Sequence, residues 1–189
     1  MELNGFCCHV GRRKRSEMVK QKNKYSSADT KLNDSDRFRD FGIFRYWFRS
    51  VEKYAPWVGK IYLVTEGHLP DWINLNNERL VHVRHQDYIP EKYLPTFNSN
   101  VIELNLHRIK DLSESFVLFN DDLFFNAPVK SIDFFESDKA KDVSIYSPIP
   151  PHDEFSMIVY NDVRIINKYF SKKMILKKTG VTFFHSNMV

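Results

Sequence analysis

The chain has 189 residues, 42% of them hydrophobic and 15% aromatic, with a net charge of +4. That is enough apolar material for one domain with a packed core, and it excludes a disordered chain. The mild positive excess fits an anionic substrate without demanding one. The two cysteines, Cys7 and Cys8, are adjacent. They offer no disulfide framework, so nothing points to an oxidising compartment. No stretch approaches the roughly 18 consecutive apolar residues of a membrane-spanning helix. The short apolar run from Gly5 to Val10 precedes the positive charges, the reverse of a signal peptide. A soluble, cytoplasmic bacterial chain is the expectation, peripheral at most to a membrane.

Residues 1–36 form the first expected region, a basic and poorly ordered lead-in. Arg12, Arg13, Lys14, Arg15, Lys20, Lys22 and Lys24 face only Glu2 and Glu17. Such a run serves as a nucleic-acid arm or as a solvated, partly helical lead-in. No aromatic residues are interleaved among the charges, which weakens single-strand binding, and no nucleic-acid partner is expected. Tyr25 to Asp36 is polar and reads as a loop.

Order is expected from Arg37. Phe44, Trp47, Phe48 and Val51 recur at the spacing of one helix face. Asp40 is the expected N-cap, and Pro56 closes the helix. Arg37 and Arg39 precede it, as phosphate contacts at the positive helix end or as surface charges. Lys60 to Thr65 then reads as a strand, Glu66-Gly67 as a turn, and Pro70 to Asn77 as one helical turn. Leu80 to Arg84 is a second strand, ended by His85-Gln86-Asp87. Asn98 or Ser99 caps a helix running to about Ile109, whose apolar face is Val101, Ile102, Leu106 and Ile109. Phe116 to Phe125 reads as a third strand, buried on both faces. Strands alternating with helices predict an α/β fold, a mostly parallel sheet with covering helices.

Beyond Phe125 the pattern weakens. Val129 to Phe135 carries a short helical turn. Pro148, Pro150 and Pro151 mark a loop that includes His152, Asp153 and Glu154. Val163, Ile166 and Phe170 fit a helix from about Asp162 to Lys172. The expected divisions are 1–36, a core at 37–135, and a C-terminal linking segment with one helix at 136–189.

In parallel sheets, ligands bind outside the carboxyl ends of the strands. That rule gathers Thr65-Glu66-Gly67, His85-Gln86-Asp87 and Asn120-Asp121-Asp122 onto one rim. Asp121 and Asp122 read as a turn or as a cation site. Two carboxylates about 5 Å apart repel by about 3 kcal/mol at an effective dielectric of about 20. A divalent cation, or protonation of one of them, removes that cost. Glu103 and His107 are four apart, which on a helix makes them neighbours, as an acid–base pair, two ligands or a salt-bridged surface. There is no phosphate loop, GxGxxG, nucleophile elbow or CxxC, which excludes a kinase or dehydrogenase of standard design.

Several long motifs together resemble one family. RFRDFGIFRYWFRSVEKYAPWVGKIYLVTEGHLPDWINL, LPTFNS, IELNLHRI and FNDDLFF occur in order and resemble the second conserved region of the Stealth family. That family includes capsular and cell-wall polysaccharide phosphotransferases. The resemblance implies a nucleotide-sugar-transferase-like, Rossmann-like fold. It implies transfer of a sugar-1-phosphate from a nucleotide-diphosphate sugar to a hydroxyl of a glycan acceptor, with Mg²⁺ as cofactor. By resemblance, Asp122 sits at the reaction centre with Asp121 beside it, both as metal ligands. Glu103 orients or deprotonates the acceptor, with His107 and Arg108 beside it. Arg37, Arg39 and Asp40 shape the donor site. The family's opening strand is not matched by Met1 to Val10, and its third and fourth conserved regions would lie beyond Val189. The chain is therefore expected to be truncated at both ends, and a catalytically incomplete carbohydrate- or nucleotide-binding remnant is the alternative reading.

Overall fold

The computed structural model describes residues 6–9, 42–137, 139–141, 150 and 152–170. Four strands form one sheet: β1 (Phe6–His9), β2 (Ile61–Thr65), β3 (Leu80–Arg84) and β4 (Val117–Asn120). Their order is β3-β2-β1-β4, and every neighbouring pair is parallel. The chain steps outward from β1 to β2 to β3, then crosses back so that β4 lies on the other side of β1. Two short strands, β5 (Phe135–Glu136) and β6 (Lys139–Ala140), pair antiparallel. The protein is thus mixed α/β, as expected.

β1 corrects one expectation. Phe6–His9 falls inside the segment expected to be a lead-in, yet it pairs with β2 on one side and β4 on the other. A run too short for a signal peptide is long enough for a strand when both edges are hydrogen-bonded. The basic run from Arg12 to Lys24 and the loop from Tyr25 to Asp36 lie outside the described residues.

All five residues of β2 are buried, and their alternation builds two cores. Ile61 and Leu63 join Trp47, Val51, Ala55, Val58 and Phe119 on one face. Tyr62 and Val64 join Val83, Tyr88, Ile102 and Leu106 on the other. Helix α1 (Phe44–Tyr54) covers the first face through Trp47 and Val51, the helix face that the 44, 47, 48, 51 spacing predicted. It does not begin at Asp40. Gly42 adopts a left-handed φ of +65°, which interrupts a right-handed helix. Ile43 takes the N-cap position without a side-chain hydrogen bond.

The second face is covered by α2 (His85–Tyr88) and α3 (Ser99–Leu104). Asn98 caps α3, its side chain accepting from the Asn100 N–H at 2.9 Å. The predicted helix to Ile109 is shorter. The Asn105 side chain donates to the Val101 carbonyl at 2.8 Å, and Leu106–Arg108 continues as a tighter 3-10 turn. The expected apolar face survives the break: Ile102, Leu106 and Ile109 are all buried. Pro70 to Asn77 forms turns instead of a helical turn. There the Asn74 and Asn77 side chains accept from the backbone N–H groups of Asn76 and Arg79, which competes with helix formation.

The strand expected from Phe116 to Phe125 ends at Asn120. Only Phe119 is buried in it, and Leu118 is exposed, so burial on both faces is corrected as well. Asp121 and Asp122 form a turn, and Phe124 and Phe125 then pack back onto the first core. A short 3-10 turn at Ser131–Asp133 meets the expectation for Val129 to Phe135.

The chain divides into two compact units, Met1–Lys141 and Asp142–Val189. Of the second unit, α4 (Glu154–Tyr169) is described. It begins well before the predicted Asp162. Asp153, placed in a loop by sequence, caps it by accepting the Ser156 N–H at 2.7 Å. Residues 171–189 lie outside the described residues.

Candidate functional site

The crossover between β1 and β4 places one acidic turn where parallel sheets bind ligands. His9 of β1 is in register with Asn120 of β4, so Asn120-Asp121-Asp122 follows the carboxyl end of β4 directly beside the end of β1. The turn is held from both sides. Phe119 before it is buried, and its ring meets the Phe125 ring edge-on at 5.0 Å between centroids. Leu123 N–H closes the turn on the Asn120 carbonyl at 3.4 Å. Asp121 is half-buried, whereas Asp122 is exposed and has no hydrogen-bond or ion-pair partner among the described residues. Because β4 stops at Asn120, the two carboxylates occupy a turn and do not alternate across a strand.

The other predicted residues are placed by the α3 region. Glu103 is half-buried in α3, while His107 and Arg108 are exposed in the 3-10 turn that follows. The break at Asn105 separates Glu103 from His107, so they do not share one α-helical face. No hydrogen bond or ion pair among the described residues joins Glu103, His107, Arg108 and Asp122 to one another. Arg37, Arg39 and Asp40 lie outside the described residues.

At the carboxyl ends of β2 and β3 the structure adds two residues that sequence reasoning passed over. The Thr65 hydroxyl accepts the Gly67 N–H at 2.9 Å and shares a 2.9 Å hydrogen bond with His82 Nε2. Arg84 clasps Asp87 with its guanidinium at 3.1 Å, and its own N–H donates to the same carboxylate at 2.8 Å. Burial, reinforced by the Arg84 charge, holds the His82 imidazole below its ordinary value of 6.5. At Asp87 desolvation works upward, but the hydrogen bonds and charge of Arg84 outweigh it and hold the carboxyl below 3.8. The signal for both residues was present in LVHVR: period-two alternation puts His82 and Arg84 on one side of β3 and Val81 and Val83 on the other.

Among the described residues no cluster of three or more His, Cys, Asp or Glu forms a metal cage. Asp121 and Asp122 offer two carboxylates in sequence, a set that suits an ion completing its shell with substrate phosphates and water. No helix among the described residues is long and apolar enough to cross a membrane.

Residues 37–143 match a known family description, Stealth protein CR2, conserved region 2. The chain belongs to the Stealth family. Every predicted site residue lies inside that matched Stealth segment. Similar proteins include the capsular polysaccharide phosphotransferase WcwK of Streptococcus pneumoniae, 54% identical over 92% of this chain and 51% of that protein. The capsular polysaccharide phosphotransferase eps5J of Streptococcus thermophilus is 47% identical over 89% of this chain and 73% of that protein. The exopolysaccharide phosphotransferase cps2G of Lactiplantibacillus plantarum is 44% identical over 87% and 49%. The Stealth chain described here thus spans about half the length of two of these relatives and about three quarters of the third.

Proposed function

We propose that this Stealth chain transfers a sugar-1-phosphate from a nucleotide-diphosphate sugar to a hydroxyl of a capsular or exopolysaccharide acceptor. The observation that carries this reading is the acidic turn at the β1–β4 crossover, in a chain 44–54% identical to polysaccharide phosphotransferases. The strand order β3-β2-β1-β4, with helices on both faces, supports a Rossmann-like nucleotide-sugar site at that crossover.

In this reaction the acceptor oxygen attacks the phosphorus that carries the sugar. The bond from that phosphorus to the bridging oxygen breaks, and a nucleoside monophosphate leaves. The hydroxyl proton goes to a base, the role assigned to Glu103, a half-buried carboxylate on α3. Asp122, exposed and without a partner among the described residues, is free to face the reacting phosphoryl group, and Asp121 stands beside it. Mg²⁺ bound to Asp121 and Asp122 would offset negative charge on the diphosphate. His107 and Arg108 supply hydrogen-bond donors from an exposed turn, and the Arg108 guanidinium adds a positive charge suited to phosphate oxygens. Arg37, Arg39 and Asp40 are assigned to the donor site. The acceptor is a glycan of the cell surface, which would bring the protein to the membrane periphery.

Calorimetry of UDP-N-acetylglucosamine and other nucleotide sugars, with and without Mg²⁺, tests the assignment. Metal-dependent binding, weakened at least tenfold by Asp122→Ala, is expected. A folded chain that binds every nucleotide sugar equally with or without Asp122 would overturn the site. A chain that binds none would instead favour the remnant reading.

A further inference from the structure

A second concave surface lies at the opposite end of the sheet. It is a cleft of about 230 Å³ beside the amino ends of β2 and β3, lined by Ile61 and Leu80 and by residues of α1 and the β2–β3 connection. It shares no residue with the acidic turn. On one side stands Trp72, an indole left 43% exposed although its ring meets Phe44 and Phe48 at about 6 Å. A large aromatic held in place by other aromatics, with one flank open to water, is a rigid platform for an amphipathic ligand.

Asn74, Asn77 and Arg79 beside it are held by hydrogen bonds to the backbone that leave some of their donors open. Asn74 and Asn77 each use the side-chain oxygen to accept a backbone N–H, which orients the amide and leaves its NH₂ without a partner among the described residues. Arg79 is pinned by the carbonyls of Gly59 and Val58 at 3.2 and 2.5 Å. Glu52, on α1, has no ion-pair or hydrogen-bond partner among the described residues. The wall therefore presents donors from two amides and a guanidinium, and an acceptor from a carboxylate. Its one positive and one negative side chain sum to zero, which offers no net attraction to a phosphate or nucleotide.

We infer that this cleft is a second glycan-binding site, taking one uncharged pyranose ring of the acceptor polysaccharide. A pyranose has an apolar C–H face to lie on Trp72 and a rim of hydroxyls that both donate and accept, matching the mixed wall. The volume is below the roughly 300 Å³ at which drug-sized pockets begin, so it admits a single ring, not a nucleotide sugar. A polymer can engage this cleft while another of its residues lies at the carboxyl ends of the strands, and two linked contacts raise the effective concentration of acceptor. The inference rests on the proposed glycan acceptor, but it uses separate residues and can fail separately.

The test is saturation-transfer NMR and calorimetry on the full chain. The probes are methyl β-glucopyranoside, methyl N-acetyl-β-glucosaminide, one neutral and one acidic pneumococcal capsular polysaccharide, and UDP-N-acetylglucosamine as control. Binding of the neutral probes is expected, weakened at least tenfold by Trp72→Ala and severalfold by Asn77→Ala and Glu52→Gln, which leave the aromatic packing intact. Asp122→Ala should leave that binding unchanged. If no neutral probe binds, or if Trp72→Ala and Asn77→Ala, folded by circular dichroism, both bind like the parent, the inference is overturned. It is equally overturned if UDP-N-acetylglucosamine competes for Trp72, or if the acidic polysaccharide binds there and the neutral one does not. Retained nucleotide-sugar binding in those cases leaves the proposed function standing.

Discussion

His82 shows how much one side chain's surroundings decide. Its ring shares a hydrogen bond with Thr65 and lies near Arg84. Burial and that charge both disfavour protonation, so the folded state binds a proton less readily than the unfolded chain. A lowered imidazole pKa contributes stability that is present above 6.5 and is lost as pH falls through the window just below it. The melting temperature should therefore decline from about pH 7 toward about pH 5, and His82→Gln should flatten that decline. Asp87 is also held low, so its contribution is present above 3.8 and disappears only at more acidic pH. Thermal melts across pH separate the two: a decline confined to the region below 3.8 would remove His82 from the account.

At the scale of elements, caps and turn-forming side chains decide where helices stop. Asn98 accepts the Asn100 N–H and so satisfies a donor that the first turn of α3 leaves open. Asn98→Ala should cost about 1 kcal/mol in urea unfolding, the usual loss for such a cap. Asn105 works at the other end, where its bond to Val101 accompanies the break that parts Glu103 from His107. The two residues looked like helix neighbours because 3.6-residue periodicity continues through Leu106 and Ile109. Periodicity reports which side is buried, and both the α-helix and the 3-10 turn bury the same side here. In α1, Trp47 is fully buried against Phe119, with ring centroids 5.8 Å apart. Trp47→Ala should cost about 3–5 kcal/mol, read as a lower urea midpoint. A loss below about 1 kcal/mol would mean that the first core is not packed around that ring.

At the scale of the molecule, β2 is the hub of the sheet. It is buried along its whole length, lies between β1 and β3, and sends alternate side chains into both cores. Local opening that frees its amides must disrupt both cores, whereas β5 and β6 form only a two-residue pairing in which Phe135 alone is half-buried and the other side chains are exposed. Native-state hydrogen exchange should therefore find the β2 amides protected to near the global unfolding free energy and those of β5 and β6 exchanging far earlier. The same topology puts the acidic turn beside the end of β1 and leaves the Trp72 cleft at the opposite ends of the strands. The proposed donor chemistry and the inferred second glycan contact would then occupy separate surfaces of one small sheet.

The sequence by itself determined what local chemistry controls. Apolar periodicity located the buried faces of α1 and α3. Short apolar runs located β2 and β3, and the family motifs located the acidic pair. Only the tertiary structure decided that Phe6–His9 is a central strand, because four residues hold as a strand only through partners far along the chain. It decided that β4 ends at Asn120, since a run of apolar residues reads alike whether it stays extended or folds back, as Phe124 and Phe125 do. It also put His82 against Thr65, a contact set by strand register between two segments and invisible in either one alone.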